Sequence, residues 1–268
     1  MRRSLWIKIP VLLGATTAWV RLEGPLALAV TAAIVLGGVA LLLAIVLHPN
    51  SSLWAKTLWR APRDTNAVAL TFDDGPDPSA TPAIVRILAD RGVRAAFFVV
   101  GERARAHPEI VAQLHEAGHL VCNHTDTHTV RFHFGLWGAV RRELRACNEA
   151  IAAVIGREPA FFRSPQGHKN PALCDVLREM GMTAIGWQVR GLDSVFGDAD
   201  AIVRRVVRGA RAGGVIALHD GTGYGGRSDR TPTIEALPHI IDGLRARGLT
   251  FRRLDELLEL EPYRPVET

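Results

Sequence analysis

Apolar and polar positions follow two regimes along this chain. Residues 26–47 form one uncharged, almost wholly apolar run. From Ala67 onward, short apolar runs give way to polar or glycine-containing turns, then to amphipathic stretches, and the cycle repeats. Apolar runs closed by turn residues predict strands, here at 67–72, 95–100, 119–123, 160–163, 183–189, 215–218 and 250–252. Helical periodicity fits 82–90, 108–117, 136–155, 171–180, 199–211 and 233–247. Pro82, Pro108 and Pro171 stand where a first helical turn accepts proline, and Gly92, Gly118, Gly181 and Gly248 where helices stop.

Alternation of this kind predicts an α/β domain with a parallel sheet, either open and doubly wound or closed as a barrel. The polar residues favour the barrel. Asp73 and Asp74 follow one predicted strand, His124 a second, Arg163 a third, Asp193 a fourth and His219 a fifth. Carboxyl ends of barrel strands share one rim, where such folds place their chemistry. The 268 residues hold one such domain of about 200–250 residues and an appendage.

The appendage is the apolar run. At 1.5 Å per residue, 26–47 spans a hydrocarbon core of roughly 30 Å, so a transmembrane helix is expected. The run is longer and later than the core of a cleaved signal, about 7–15 residues. A shorter apolar stretch at 9–20, holding Pro10 and Gly14, would lie in the interface or form half of a hairpin. One crossing exports the domain and two return it to the cytoplasm. Lys56, Arg60 and Arg63 run against export. A single crossing is nonetheless the expectation, giving a cell-membrane protein with an extracytoplasmic catalytic domain. Residues 1–48 are thus read as membrane segment, 49–66 as linker, 67–260 as catalytic domain and 261–268 as tail.

Composition changes little. Apolar residues make up 48% and charged residues 22%, a globular mixture. The net charge of +5 suits an anionic partner, but Arg103, Arg105, Arg141, Arg142, Arg204, Arg205 and Arg208 are scattered and read as solvated helix faces. No nucleic-acid motif is present, so no nucleic-acid partner is expected. Cys122, Cys147 and Cys174 show neither a CxxC pair nor a disulfide framework and read as buried free thiols.

The chemistry lies in four motifs. In TFDDGP at 71–76, two adjacent carboxylates after a strand are costly to hold together without a cation or an arginine. In HTDTH at 124–128, two histidines four apart would share one face of a helical turn, and one more carboxylate, Asp74, completes three metal ligands. RSPQG at 163–167 offers an arginine to pair with Asp73 and a turn whose N–H groups could face the site. VIALHDG at 215–221 ends a strand on His219, a candidate general acid that Asp193 could orient. Asp220 is either part of this group or a turn residue.

With these motifs in this order, residues 67–260 resemble the polysaccharide deacetylase family, also called the NodB-homology or carbohydrate esterase 4 family. The resemblance implies a distorted (β/α)7-8 barrel that hydrolyses acetyl groups on sugar polymers. It implies Asp73 as general base, and Asp74, His124 and His128 as ligands of a divalent ion, zinc first, with cobalt, nickel or manganese as alternatives. It further implies that Arg163 positions Asp73, His219 protonates the departing amine and Asp193 tunes His219. Pro165, Gln166, Gly167, Trp187 and Leu218 are expected at the substrate, with a backbone donor after Pro165. The chain departs from the family pattern at Gln166, where an aromatic residue is usual, and at Arg190, Asp193 and Ser194, where two acids and a tryptophan are common. The expected activity is removal of N-acetyl groups from amino sugars of a surface polysaccharide such as peptidoglycan. The alternatives are deacetylation or deformylation of a lipid-linked amino sugar, and a catalytically inactive carbohydrate-binding relative.

Overall fold

The structure is a computed structural model that describes residues 24–52, 55–62 and 64–266. The apolar stretch at 9–20 lies outside the described residues. Helix α1 spans Gly24–Leu47, and β1 (Thr57–Leu58) and β2 (Ala67–Gly75) follow. Then come α2 (Thr81–Asp90), β3 (Ala96–Val99), α3 (Gly101–Ala106), α4 (Pro108–Glu116), β4 (Leu120–Asn123) and α5 (Trp137–Ile155). After β5 (Glu158–Pro159) and β6 (Phe161–Phe162) come α6 (Pro171–Glu179), β7 (Thr183–Ile185), β8 (Val189–Arg190), α7 (Ala199–Gly209) and β9 (Val215–His219). The chain closes with α8 (Thr231–Ala246), β10 (Thr250–Phe251), α9 (Leu254–Leu258) and β11 (Tyr263–Arg264).

The main sheet runs β1-β7-β6-β4-β3-β2-β9-β8, with β10 also on β2, and all its strand pairs are parallel. It curls into an α/β half-barrel, and among the described residues no β1–β8 pair closes it. Instead, Val215 donates to the Trp59 carbonyl at 3.1 Å, and Arg60 bridges Gly214 in antiparallel sense. The stretch expected as linker, 49–66, is therefore corrected in part: it contributes β1 and a seam of the barrel. Its apolar signal is only two residues long, too short to register as a period.

Strand β2 is buried along its whole length, as a central parallel strand covered on both faces should be. Phe72, Phe97, Leu70, Ile84, Leu114 and Ile240 belong to the largest core cluster, between the sheet and its outer helices. Burial of each such side chain stabilises by roughly 1.5–3 kcal/mol, so this layer holds the rim strands in register. Cys122 and Cys147 are buried and Cys174 is half-buried; burial pushes the first two thiols well above their ordinary range.

Helix α1 is 24 residues of almost uniformly apolar sequence. Several of its side chains lie outside the described set, and among the described residues no helix is long and apolar enough to cross a membrane.

Candidate active site

Strand register brings the four motifs to one rim. Asp73 pairs with Phe98 of β3 on one side and His219 of β9 on the other, which fixes it between the acid and ligand sides of the site. The ladder then shifts between Asp73 and Gly75, and Asp74 takes a left-handed φ of 72°. That irregularity separates the adjacent carboxylates. Asp73 turns to Arg163, whose Nη1 donates to its Oδ1 at 2.6 Å, and Asp74 turns to the histidines. The guanidinium is fully buried, 4.1 Å from the Phe98 ring centroid. It also donates to Thr71 Oγ1 at 2.7 Å and to the Gly186 carbonyl at 3.1 Å. Five donors in a rigid fork make arginine suited to this multiple anchorage.

Asp74, His124 and His128 converge: one potential ligand atom from each lies within 4.8 Å of the others. His124 Nε2 stands 3.3 Å and His128 Nε2 3.0 Å from Asp74 Oδ1. His124 Nδ1 is 2.8 Å from the Arg163 carbonyl, an obligate acceptor, so Nδ1 carries the proton and Nε2 presents its lone pair. Asp74 Oδ1 is buried without a hydrogen-bond partner. Buried lone pairs facing one another without donors are what a cation satisfies, so these residues fit a divalent ion.

The expected helical turn is corrected. Residues 124–129 are not helical, and Thr125 and His128 have φ values of 71° and 51°. The rings meet at 5.0 Å because the loop folds back on itself: His128 N–H donates to Thr125 Oγ1 at 3.1 Å, and Thr125 N–H to Asn123 Oδ1 at 2.9 Å. Spacing of four suited both geometries, so periodicity alone did not distinguish them.

Opposite the ligand cluster, His219 Nδ1 lies 2.9 Å from Asp193 Oδ1. The other Asp193 oxygen accepts from His219 N–H and Thr233 Oγ1, each at 2.8 Å. Burial opposes charge on His219, but Asp193 and then Asp74 and Asp73 raise its pKa to about 9. Burial would likewise raise Asp193, and His219 outweighs it and lowers the carboxyl. Asp220 is buried, accepts from Thr81 Oγ1 at 2.6 Å and is pushed up to about 7 chiefly by burial. It faces α2 rather than the cavity.

Asp73, Asp74, His124, His128 and His219 line one cleft of about 200 Å³ with Gln166, Trp187, Arg190, Val195 and Tyr224. A larger cleft of about 500 Å³ on the far side of α5, lined by Arg145, Glu149, Glu158 and Glu179, holds none of the motif residues. Gln166 has a φ of 54° that turns it to the cleft, while Pro165 and Gly167 are buried behind it. Leu218 is corrected from the substrate wall to the core, where it is fully buried, and Ala217 stands on the wall instead. Along a strand, neighbours face opposite sides, and the sequence does not say which side is the cleft.

Arg103, read from sequence as a solvated charge, donates through Nη1 to the Asp74 carbonyl and through Nη2 to that of Thr222 at 2.5 Å. It ties the ligand turn to the loop after β9. That loop brings in Gly223, where a Cβ would stand 2.6 Å from Asp74 Oδ2 and 3.2 Å from His128 Cε1. Thr71, Thr233, Gly223 and Tyr224 carry no local signal that would have found them, since their role depends on partners distant in sequence.

A family model described as polysaccharide deacetylase matches residues 60–185. A peptidoglycan-N-acetylglucosamine deacetylase of Bacillus cereus is 31% identical over 207 residues, covering 75% of this chain and 92% of the relative. A chitooligosaccharide deacetylase of Rhizobium leguminosarum bv. trifolii is 33% identical over 204 residues, covering 72% and 92%. The crystal structure of a peptidoglycan N-acetylglucosamine deacetylase bound to an N-hydroxybenzamide superposes with a TM-score of 0.73 at 29% identity, covering 78% of this chain and 95% of that one. A family 4 carbohydrate esterase from Streptomyces lividans with acetate superposes at 0.63 and 33% identity, covering 70% and 93%. With the barrel and motif geometry in agreement, and with relatives matched over nearly their whole length, the chain belongs to the polysaccharide deacetylase family.

Proposed function

We infer that the protein hydrolyses N-acetyl groups on amino-sugar units of a cell-surface polysaccharide such as peptidoglycan. One observation carries this reading: Asp73, clamped by Arg163 at 2.6 Å, shares a cleft with the Asp74–His124–His128 cluster and with His219, which Asp193 holds from behind. Asp74, His124 and His128 would hold a divalent ion, with zinc the first candidate for three oxygen and nitrogen donors. When bound, the ion supplies a Lewis acid that polarises the acyl carbonyl and acidifies water.

The chain's own residues supply the proton transfers. Asp73 Oδ1 is engaged by Arg163, which leaves Oδ2 to take a proton from the attacking water. His219 is held by Asp193 through Nδ1, so Nε2 is the atom that gives a proton to the leaving nitrogen. The pKa near 9 keeps that proton in place at neutral pH. In the turn after β6, Gly167 and His168 N–H are bonded to Ser164 and Pro165 carbonyls, so an amide donor to the acyl oxygen would be that of Gln166. Gln166, Trp187 and Arg190 would meet the sugar.

The membrane reading is part of the same proposal: α1 anchors the protein in the cell membrane and the barrel lies outside the cytoplasm. Its support is the length of α1 and the exposure of Leu26, Leu28, Leu36 and Leu41, each above half. The test is acetate release from N-acetylglucosamine oligomers by the full chain, stripped of metal and reloaded with zinc, with Asp73→Asn beside it. Metal-dependent release that Asp73→Asn abolishes is expected. A fully active variant would displace Asp73 as base.

A further inference from the structure

The end of α1 is built into the catalytic rim. Asn50 brackets Trp187 on both sides of its peptide: Nδ2 donates to the Trp187 carbonyl at 2.7 Å, and Trp187 N–H donates to Oδ1 at 3.2 Å. Lys169 donates to the carbonyls of Pro49 and Gly167. Pro49 lies so close to Gly167 that a Cβ there would meet its side chain at 2.5 Å. Only one residue separates Leu47 from this clamp, so α1 leaves the domain beside the mouth of the cleft.

The same rim is apolar where it has no packing reason to be. Outside α1, six of the eight exposed large apolar side chains among the described residues stand on the loops that follow β4, β8 and β9 or, for Trp137, on the first residue of α5. Val195 and Tyr224 line the cleft and are accounted for by substrate. Phe134 and Leu136 are not on its wall, yet they are 82% and 78% exposed, beside Trp137 at 50%. Their loop is stitched to the foot of α1. Asn170 Nδ2 donates to the carbonyls of His133 at 3.1 Å and Gly135 at 3.2 Å, and the His133 and His168 rings meet at 5.2 Å. Lys169, between His168 and Asn170, holds Pro49. Exposed Arg131 stands three residues before Phe134, and Arg190 is on the wall of the cleft itself. Exposed apolar side chains next to the end of an apolar helix have the chemistry of an interfacial surface that meets lipid. Trp137, whose indole N–H donates to Asp175 Oδ2 at 3.2 Å, adds an aromatic with one polar edge, the kind favoured at that depth.

We propose that the catalytic rim is seated on the bilayer that holds α1, with Phe134, Leu136 and Trp137 in the headgroup region, so that the cleft takes amino sugars carried at the membrane surface. This seating rests on the deacetylase and anchor readings above. It follows from rigid connection: a barrel clamped at Pro49 and Asn50 has no slack to lift its rim away from the bilayer. Soluble oligosaccharide would still enter the cleft, but a sugar held on lipid would meet it at a far higher local concentration.

The test uses the full chain in phosphatidylcholine–phosphatidylglycerol vesicles. An environment-sensitive dye is placed at Leu136→Cys or, on the opposite end of the barrel, at Glu116→Cys, each with Cys174→Ser. Brominated lipid should quench the first several-fold more than the second; equal quenching overturns the seating. Separately, Phe134→Ser with Leu136→Ser should lower kcat/KM about tenfold on a lipid-linked N-acetylglucosamine in those vesicles and leave it within twofold on soluble chitooligosaccharide. Equal losses on both also overturn it. If the unsubstituted protein releases acetate from neither, the deacetylase reading fails and quenching alone decides the seating. If alkaline carbonate extracts the protein from the vesicles, the anchor reading fails and the seating with it.

Discussion

Arg163 reaches Asp73 across 90 residues of sequence, Nη1 to Oδ1 at 2.6 Å, with its side chain wholly withdrawn from water. A buried pair is weak evidence of net stability, but breaking it by removing one partner is costly, about 3–5 kcal/mol. Arg163→Ala is therefore expected to lower the unfolding free energy by an amount of that order and to abolish acetate release. Arg163→Lys should recover part of the stability and little of the activity, since one ammonium cannot serve Asp73, Thr71 and the Gly186 carbonyl together. Denaturant titration and acetate release, side by side on the three proteins, check this; an active Arg163→Ala would contradict the positioning role.

Removing a ligand should act through the ion. His128→Ala is expected to weaken zinc binding by more than the ~10–100-fold that loss of an outer partner costs, with the fold retained. Calorimetric titration of zinc and circular dichroism separate the two. Unchanged zinc affinity would remove His128 from the ligand set.

Gly223 should be intolerant for a different reason. A methyl at this position would stand 2.6 Å from Asp74 Oδ2, and the Asp74 carboxylate is pinned between its two histidines. Gly223→Ala is expected to lower zinc affinity about tenfold, roughly 1.4 kcal/mol, while thermal stability stays near that of the parent. Equal affinity in the two proteins would show that the loop after β9 yields.

Asp193 should set the alkaline limb of activity. It is the main source of the upward pull on His219, whose pKa near 9 lies above its ordinary 6.5. The stability from this pair is fully present below pH 6.5 and lost as pH rises through about 9, and the acid function is lost over the same upper limb. Asp193→Asn should move the fall in kcat to lower pH by one or more units of pH. A pH profile of kcat shows this directly, and an unshifted limb would mean another group donates the proton.

Acid lability has a separate source in His119, which is buried and accepts the Ala95 N–H on Nδ1 at 3.1 Å. Burial, then Arg253 and Arg94, lower its pKa from 6.5 to about 4. The unfolded chain binds the proton first on acidification. Stability from the neutral ring is thus complete above pH 6.5 and lost as pH falls to about 4, a loss of about 2–3 kcal/mol. His119→Gln should flatten the stability profile between these values, even if it is less stable at pH 8. Denaturation midpoints measured across that range decide it; parallel profiles would exonerate His119.

Much of the fold was legible in advance. The predicted strand at 215–218 and helix at 171–180 differ from Val215–His219 and Pro171–Glu179 by one residue at an end. Both have strong local periodicity and clear stop signals. Strand β1 and helix α3 were not legible, because two and six residues carry too little pattern. The predicted strand at 183–189 splits into β7, which pairs with β1 and β6, and β8, which pairs with β9 at the far end of the sheet. Local pattern over so short a stretch gives no sign of the change of partner.

The sequence by itself determined which residue types carry the chemistry, in what order, and at which ends of parallel strands they stand. Those properties are local: they follow from side-chain type, turn residues and the period of burial. Only the tertiary structure decided that Asp73 faces Arg163 while Asp74 faces two histidines, that a loop rather than a helix joins those histidines, and that Arg103 braces the ligand turn. It also decided that the foot of α1 is clamped beside the cleft. Each depends on partners far apart in the chain, whose meeting is set by sheet register and core packing, quantities that no local pattern encodes.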